Sequence, residues 1–263
     1  FEIKPARIYH MLRSVGTIVY FSHLLVLQAV QWGFAACRAR GVDLQSNLIV
    51  IILMLALPTL EGDSLIRLTT QAESLSYIEM TVDSLKKFGI EVNRISPREW
   101  AVPGGQKRLS PEEVSVEADE SGAAFFGALN CLGGDVKLLN LNENSIQGDR
   151  VWRELFDEIS SRRAEISIKD CPDLGPILMA LAACKNGAVL TDTARLRIKE
   201  SDRGQAMAQE LTKLGVSVEV GENTISVSPQ GLHAPTEKLC GHNDHRIVMS
   251  LAVLLTQVGG VID

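Results

Sequence analysis

Arg195-Leu196-Arg197-Ile198-Lys199-Glu200-Ser201-Asp202-Arg203 is the stretch around which the rest of the chain can be read. Seven of its nine side chains carry charge or a hydrogen-bonding group, and they stand immediately before an amphipathic run. From Met207 the apolar residues recur at Leu211 and Leu214, the spacing of one helix face, and Gly215 supplies a C-terminal stop. Ser201 is placed to cap that helix, which would gather Lys199, Glu200 and Arg203 around its N-terminus. Unpaired N–H groups and the positive end of the helix dipole favour anions there. The same pattern also suits a capped helix with a solvated, charged start. A second polar cluster, His242-Asn243-Asp244-His245-Arg246, again enters an apolar helix, and the pair is harder to assign to solvation alone.

The bulk properties bound the function. With 263 residues, 46% of them hydrophobic, the chain can form one large or two ordinary domains with real cores. A net charge of −6, with no basic run, argues against a nucleic-acid surface. A small anionic ligand remains compatible with it, because nearby lysines and arginines set a pocket's potential. The five cysteines, Cys37, Cys131, Cys171, Cys184 and Cys240, are scattered and odd in number, which favours free thiols in a cytoplasmic protein over disulfides or a zinc site. The apolar run from Leu48 to Leu57 is too short to cross a bilayer and ends at Pro58. The chain opens at Phe1 with no visible signal peptide, and a fragment of a longer product is compatible with that start.

Two kinds of helix alternate. Ser121–Leu132, Pro176–Asn186 and Asp244–Val258 are apolar nearly all round and stop at glycine, with Leu48–Leu60 a fourth that Pro58 should end or kink; such helices belong inside a domain. Tyr77–Phe88, Val151–Ile159 and Ala206–Leu214 are amphipathic, and each precedes a β-type run: Ile90–Ile95, Glu165–Ile168 and Val216–Val220. The last passes through Gly221-Glu222-Asn223 into Thr224–Ser228, a hairpin signal, and Pro103-Gly104-Gly105 is expected to make another hairpin turn. The unit is therefore buried helix, strand, surface helix and one or two strands, repeated nearly three times in a packed α/β protein. Lys4-Pro5-Ala6-Arg7 leads a short expected helix, and His10, His23 and Trp32 have no partner spacing for a site.

Arg-Ile-Lys-Glu-Ser-Asp-Arg at 197–203 and Asn-Asp-His-Arg at 243–246 together resemble the signatures of the EPSP synthase family, the 3-phosphoshikimate 1-carboxyvinyltransferases, over residues from about 45 to the end. The resemblance implies an enolpyruvyl transferase-like, inside-out α/β barrel. It has two domains of repeated βαβαββ units, with a cleft between them. Residues 1–116 would be a partial first domain on the shikimate 3-phosphate side. Residues 117–263 would be the second domain, carrying phosphoenolpyruvate and the acid–base groups. The implied reaction moves the enolpyruvyl group of phosphoenolpyruvate to the 5-hydroxyl of shikimate 3-phosphate, with no metal or other cofactor. The expected form is a cytoplasmic monomer with these two small-molecule substrates and no nucleic-acid or membrane partner.

The resemblance also implies roles. Arg203 and Arg246 match positions that bind phosphoenolpyruvate, where a guanidinium fork suits a carboxylate or phosphate. His245 would orient Arg246, or serve only as a helix-start residue. Lys199 matches a lysine that contacts both substrates. Glu200 matches the acid that protonates the methylene carbon, which requires burial or crowding anions to keep it protonated. Asp173 matches the base that takes the hydroxyl proton, although its place before the helix from Pro176 is also that of an ordinary cap. Ser74 and Tyr77 match positions at the shikimate 3-phosphate site, with helix capping an alternative for Ser74. Ser46 and Asn47 fall where the family carries Ser-Ser-Gln, but Leu48 cannot replace the glutamine. Ser145-Ile146-Gln147-Gly148-Asp149 reads as a structural loop, and Asp119-Glu120-Ser121 as a cap for the buried helix. The family's opening segments and its C-terminal lysine have no counterpart. A non-catalytic binding or structural relative is the alternative outside enzymology. Within the fold it is UDP-N-acetylglucosamine enolpyruvyl transferase, which usually relies on a loop cysteine and lacks the Lys-Glu-Ser-Asp-Arg arrangement.

Overall fold

A computed structural model describes residues 47–68 and 75–263. They fall into two compact units: 47–68 with 89–109, and 75–88 with 110–263. The helix expected after Lys4, and Ser46 and Ser74, lie outside the described residues.

In the first unit, α1 (Asn47–Ala56) is apolar from Leu48 onward and stops where Pro58 enters a 3-10 turn, Leu57–Thr59, as a proline without an N–H should dictate. The strands β1 (Ser64–Arg67), β2 (Asn93–Ser96) and β3 (Glu99–Val102) form an antiparallel sheet in the order β1-β3-β2. β3 alternates, sending Trp100 and Val102 into the core with Ile66 and Met54. The hairpin turn lies at Pro97-Arg98, not at Pro103-Gly104-Gly105. That later stretch runs back along the end of α1, with Gly105 N–H donating to Leu60 O at 2.7 Å. Glycine at 104 answers to close approach, because a Cβ there would lie 2.0 Å from the Gly62 carbonyl oxygen.

The second unit holds α2 (Leu75–Lys87), α3 (Glu120–Cys131), α4 (Trp152–Ser161) and then one complete βαβαββ run. That run is β4 (Ala164–Ser167), α5 (Gly175–Cys184), β5 (Ala188–Thr191), α6 (Arg203–Lys213), β6 (Ser217–Val220) and β7 (Thr224–Ser228), followed by α7 (His245–Val258). The sheet order is β4-β5-β7-β6, with β4 and β5 parallel and the other pairs antiparallel. Parallel neighbours need a crossover, and α5 provides it. Every α5 residue from Gly175 to Ala183 is buried, against α7, α6 and α3. Burial of Ile177, Leu178, Met179 and Leu181 stabilises the unit by about 1.5–3 kcal/mol each. The β6–β7 hairpin closes at Gly221–Thr224 as its sequence signalled.

Candidate functional site

The two signature stretches meet at the start of α6. Its cap is Asp202, whose carboxylate accepts from the Gln205 N–H at 3.1 Å; Ser201, the expected cap, instead donates its hydroxyl to Asp244 Oδ2 at 3.0 Å. Asp244 in turn caps α7 through the Arg246 N–H at 2.9 Å, after two consecutive left-handed residues, His242 and Asn243. Arg203 is buried between them. Its Nε donates to Asp244 Oδ2 at 2.8 Å, one terminal nitrogen to Asp173 Oδ1 at 2.8 Å, and the other to Glu200 Oε2 at 2.5 Å.

Asp173 is the hub. It sits in the 3-10 turn Pro172–Leu174 ahead of α5, and neither that turn nor α5 takes a side-chain cap, so the capping role is unused. Its carboxylate meets Lys199 Nζ at 3.0 Å, Arg203 at 2.8 Å and Arg246 at 3.5 Å, and accepts from the Tyr77 hydroxyl at 3.1 Å. Arg246 also donates to Ser121 Oγ at 2.9 Å, tying α7 to α3. Burial alone would raise the Asp173 pKa, but Arg246, Lys199 and Arg203 overcome it and hold the carboxyl at about 2. Burial and the neighbouring Asp173 charge push the Tyr77 phenol up, so it stays a hydrogen-bond donor.

Beside this hub lies a cleft of about 230 Å³, lined by Tyr77, Ser121, Gln147, Asp149, Asp173 and Arg246 among others. Gln147 donates to Glu117 Oε1 and the Ala118 carbonyl, both at 2.9 Å, and accepts from the Glu120 N–H at 2.9 Å. Ser145–Asp149 is thus structural, as its sequence implied, but it also delivers Asp149 into the cleft wall. Burial, with Asp173 and Asp119 adding their charge, pushes Asp149 up to about 7. Sequence had assigned Asp149 no chemistry. Its only signal was an aspartate beside a glycine at a helix start.

Of the residues expected at a site, Tyr77, Asp173, Lys199, Arg203 and Arg246 come together. Three details differ. The Arg203 side chain is 1% exposed and committed to three carboxylates, which leaves Arg246 as the cation lining the cleft, with Lys199 paired to Asp173. Glu200 has a side chain 52% exposed and paired with Arg203, so burial does not keep it protonated and an acid role would rest on crowding anions. His245 is exposed, 4.0 Å from Asp244, while Arg246 is oriented by Ser121 and Asp173. Asn47 is the first residue of α1, in the other unit. Among the described residues, no three His, Cys, Asp or Glu side chains are grouped to hold a metal ion, Cys131, Cys171, Cys184 and Cys240 are free thiols, and no helix is long and apolar enough to cross a membrane.

Residues 7–262 match the family model of EPSP synthase (3-phosphoshikimate 1-carboxyvinyltransferase). The 3-phosphoshikimate 1-carboxyvinyltransferase of Clostridium acetobutylicum is 40% identical over 221 residues, which cover 76% of this chain and 50% of that protein. The EPSP synthase structure from Acinetobacter baumannii aligns with a TM-score of 0.68 at 24% identity, over 82% of this chain and 56% of that one. The enolpyruvyl transferase NikO from Streptomyces tendae aligns with a TM-score of 0.57 at 15% identity, over 80% and 53%. Those two likenesses concern the fold, and the chain spans about half the length of the curated relatives it matches. A mixed α/β fold of this kind, together with a family match running almost from end to end, means that the chain belongs to the EPSP synthase family.

Proposed function

We propose that this chain carries the acid–base and phosphoenolpyruvate-binding half of a 3-phosphoshikimate 1-carboxyvinyltransferase. The observation that carries the reading is the convergence of Tyr77, Lys199, Arg203 and Arg246 on Asp173, beside an open polar cleft. The reaction adds the 5-hydroxyl of shikimate 3-phosphate to C2 of phosphoenolpyruvate as the methylene carbon gains a proton. The intermediate then returns a methyl proton as the bond to phosphate breaks.

Asp173 takes the hydroxyl proton. Held at about 2 it is a weak base. Anionic substrates that draw Arg246 and Lys199 onto themselves would remove the charges that depress it, and its basicity would rise as the site fills. Arg246 and Lys199 bind phosphoenolpyruvate, Lys199 also reaching shikimate 3-phosphate. Arg203 holds Asp173 and Asp244 in place. Glu200 acts as the acid only after leaving Arg203. Ser46, Asn47, Ser74 and Tyr77 are kept for shikimate 3-phosphate by family resemblance. Residues 1–116 and 117–263 serve the two substrates, with the helix that carries Tyr77 packed into the second unit. The working form is a cytoplasmic monomer that needs no cofactor.

The test is phosphate release from phosphoenolpyruvate and shikimate 3-phosphate, run beside Asp173→Asn and Glu200→Gln. Release that Asp173→Asn lowers by about 10²–10⁴ supports the base role. One second reading, a relative that binds without turnover, is favoured by the exposed Glu200 carboxylate paired with Arg203; calorimetric binding with no phosphate release would establish it.

A further inference from the structure

Four aspartates, Asp119, Asp149, Asp170 and Asp173, line the cleft with a single arginine, Arg246. For a cavity that must receive anions this is an adverse set, unless each carboxyl is accounted for. Asp119 is engaged as the cap of α3, accepting from the Ser121 and Gly122 N–H groups. Asp173 is covered by three cations. Asp170 is exposed to solvent. Asp149 has none of these reliefs. It is 8% exposed, and its Oδ1 is the one buried side-chain nitrogen or oxygen among the described residues without a hydrogen-bond partner. An unpaired carboxylate in such a wall is strongly disfavoured, whereas a neutral carboxyl tolerates it and gains a donor.

We propose that Asp149 is a ligand-contacting residue that works as a neutral carboxylic acid, donating its O–H to a carboxylate or phosphate oxygen of an anion bound at Arg246. The proposal rests on reading the cleft as the anion site of the transferase. No proton is transferred; the O–H stays on Asp149 and points at the anion. Loss of that proton would turn a donor into a second negative charge, so anion binding is coupled to proton binding.

The surroundings agree. Burial, with Asp173 and Asp119, pushes Asp149 up to about 7 against the opposing charges of Arg246 and Lys199. The other shifted groups facing it keep their state between pH 6 and 8: Asp173 is held at about 2, burial pushes Cys171 up to about 12, and Tyr77 is likewise raised.

The experiment is calorimetric titration of this chain with sulfate, a tetrahedral oxyanion that does not itself titrate in this range, and with phosphoenolpyruvate. Sulfate should bind about tenfold more weakly at pH 8 than at pH 6, following the fraction of Asp149 that is protonated. Asp149→Asn, whose amide N–H donates in place of the acid, should stay within about threefold of wild type at pH 6 and lose the pH slope. Wild type at pH 7.5 should take up protons on binding sulfate, read from heats in two buffers of unlike ionisation enthalpy. That arm needs no variant if Asp149→Asn does not fold. A slope that persists in Asp149→Asn, a flat wild-type profile or an absence of proton uptake overturns the assignment of Asp149. Failure of wild type to bind either anion at pH 6 overturns the anion site itself, and the transferase reading with it.

Discussion

The two ends of α6 each hold a buried charged side chain against the stretch 240–244, and they do different things with it. At the C-terminal end Glu210, 1% exposed, accepts from the Cys240 N–H at 2.9 Å and from His242 Nε2 at 2.8 Å, and pairs with Lys213 at 3.1 Å. Both of its carboxylate oxygens are engaged. At the N-terminal end Arg203 holds Asp244, Asp173 and Glu200, but Asp173 also takes Tyr77, Lys199 and Arg246 as partners, and Asp173, Tyr77 and Arg246 line the cleft. Both charges oppose the helix dipole, a cation at the first turn and an acid in the last, so tertiary partners rather than the helix explain them. A strut closes its own hydrogen bonds; a site leaves charges that a ligand can redistribute.

The comparison breaks most visibly at Arg203. Arg203→Met leaves the buried Asp244 without its cation, and Asp173 with Lys199 and Arg246 alone, and should lower unfolding free energy by about 3–5 kcal/mol in urea titrations. A loss under about 1 kcal/mol would mean that solvent reaches the cluster. Next is pH. The Asp173 carboxyl is depressed from 3.8 to about 2, so its contribution is present above about pH 4 and lost as pH falls through 2. Wild type should therefore lose about 2 kcal/mol more than Asp173→Asn between pH 5 and pH 2. A constant gap between the two urea midpoints would sink that assignment. Glu210→Gln should cost about 1–2 kcal/mol while sulfate affinity stays at the wild-type value, the mark of a strut. Weakened anion binding there would erase the distinction between the two ends. Ser201→Ala removes one hydrogen bond to Asp244 and should cost about 0.5–1 kcal/mol by thermal melting.

Much of the second unit is legible from residue pattern. Gly175–Cys184 is apolar on every face and must be enclosed, Met207, Leu211 and Leu214 mark one face of α6, and Gly221-Glu222-Asn223 signals the β6–β7 hairpin. Family resemblance, not periodicity, brought Asp173, Tyr77 and Lys199 to one place. Pattern did not reveal how each charge is spent. Arg203 reads as a free fork because a sequence cannot say that Asp244, 41 positions on, will claim its Nε. Glu200 is an acid by resemblance that would need burial or crowding anions, and it falls between a 3-10 turn and the cap of α6 with its carboxylate turned to Arg203 and solvent. Ser201 and Asp202 are both good caps, and only the nearness of Asp244 decides between them. Asp149 is the largest omission, since an empty hydrogen-bonding position is a property of three-dimensional packing.

The bond from Arg246 to Ser121 spans 125 positions, and the bond from Tyr77 to Asp173 spans 96. A growing chain released as far as Ser228 contains the whole four-stranded sheet but neither Asp244 nor Arg246. During synthesis Arg203 would meet Asp173 and Glu200 before Asp244 exists, and the cleft would lack its arginine. Contacts of such high sequence separation are closed late, because the loop entropy must be met before they give any return. The sheet can therefore form on the ribosome well ahead of the site. A probe at Ser121, which accepts from Arg246, would then report the last event of folding rather than the first.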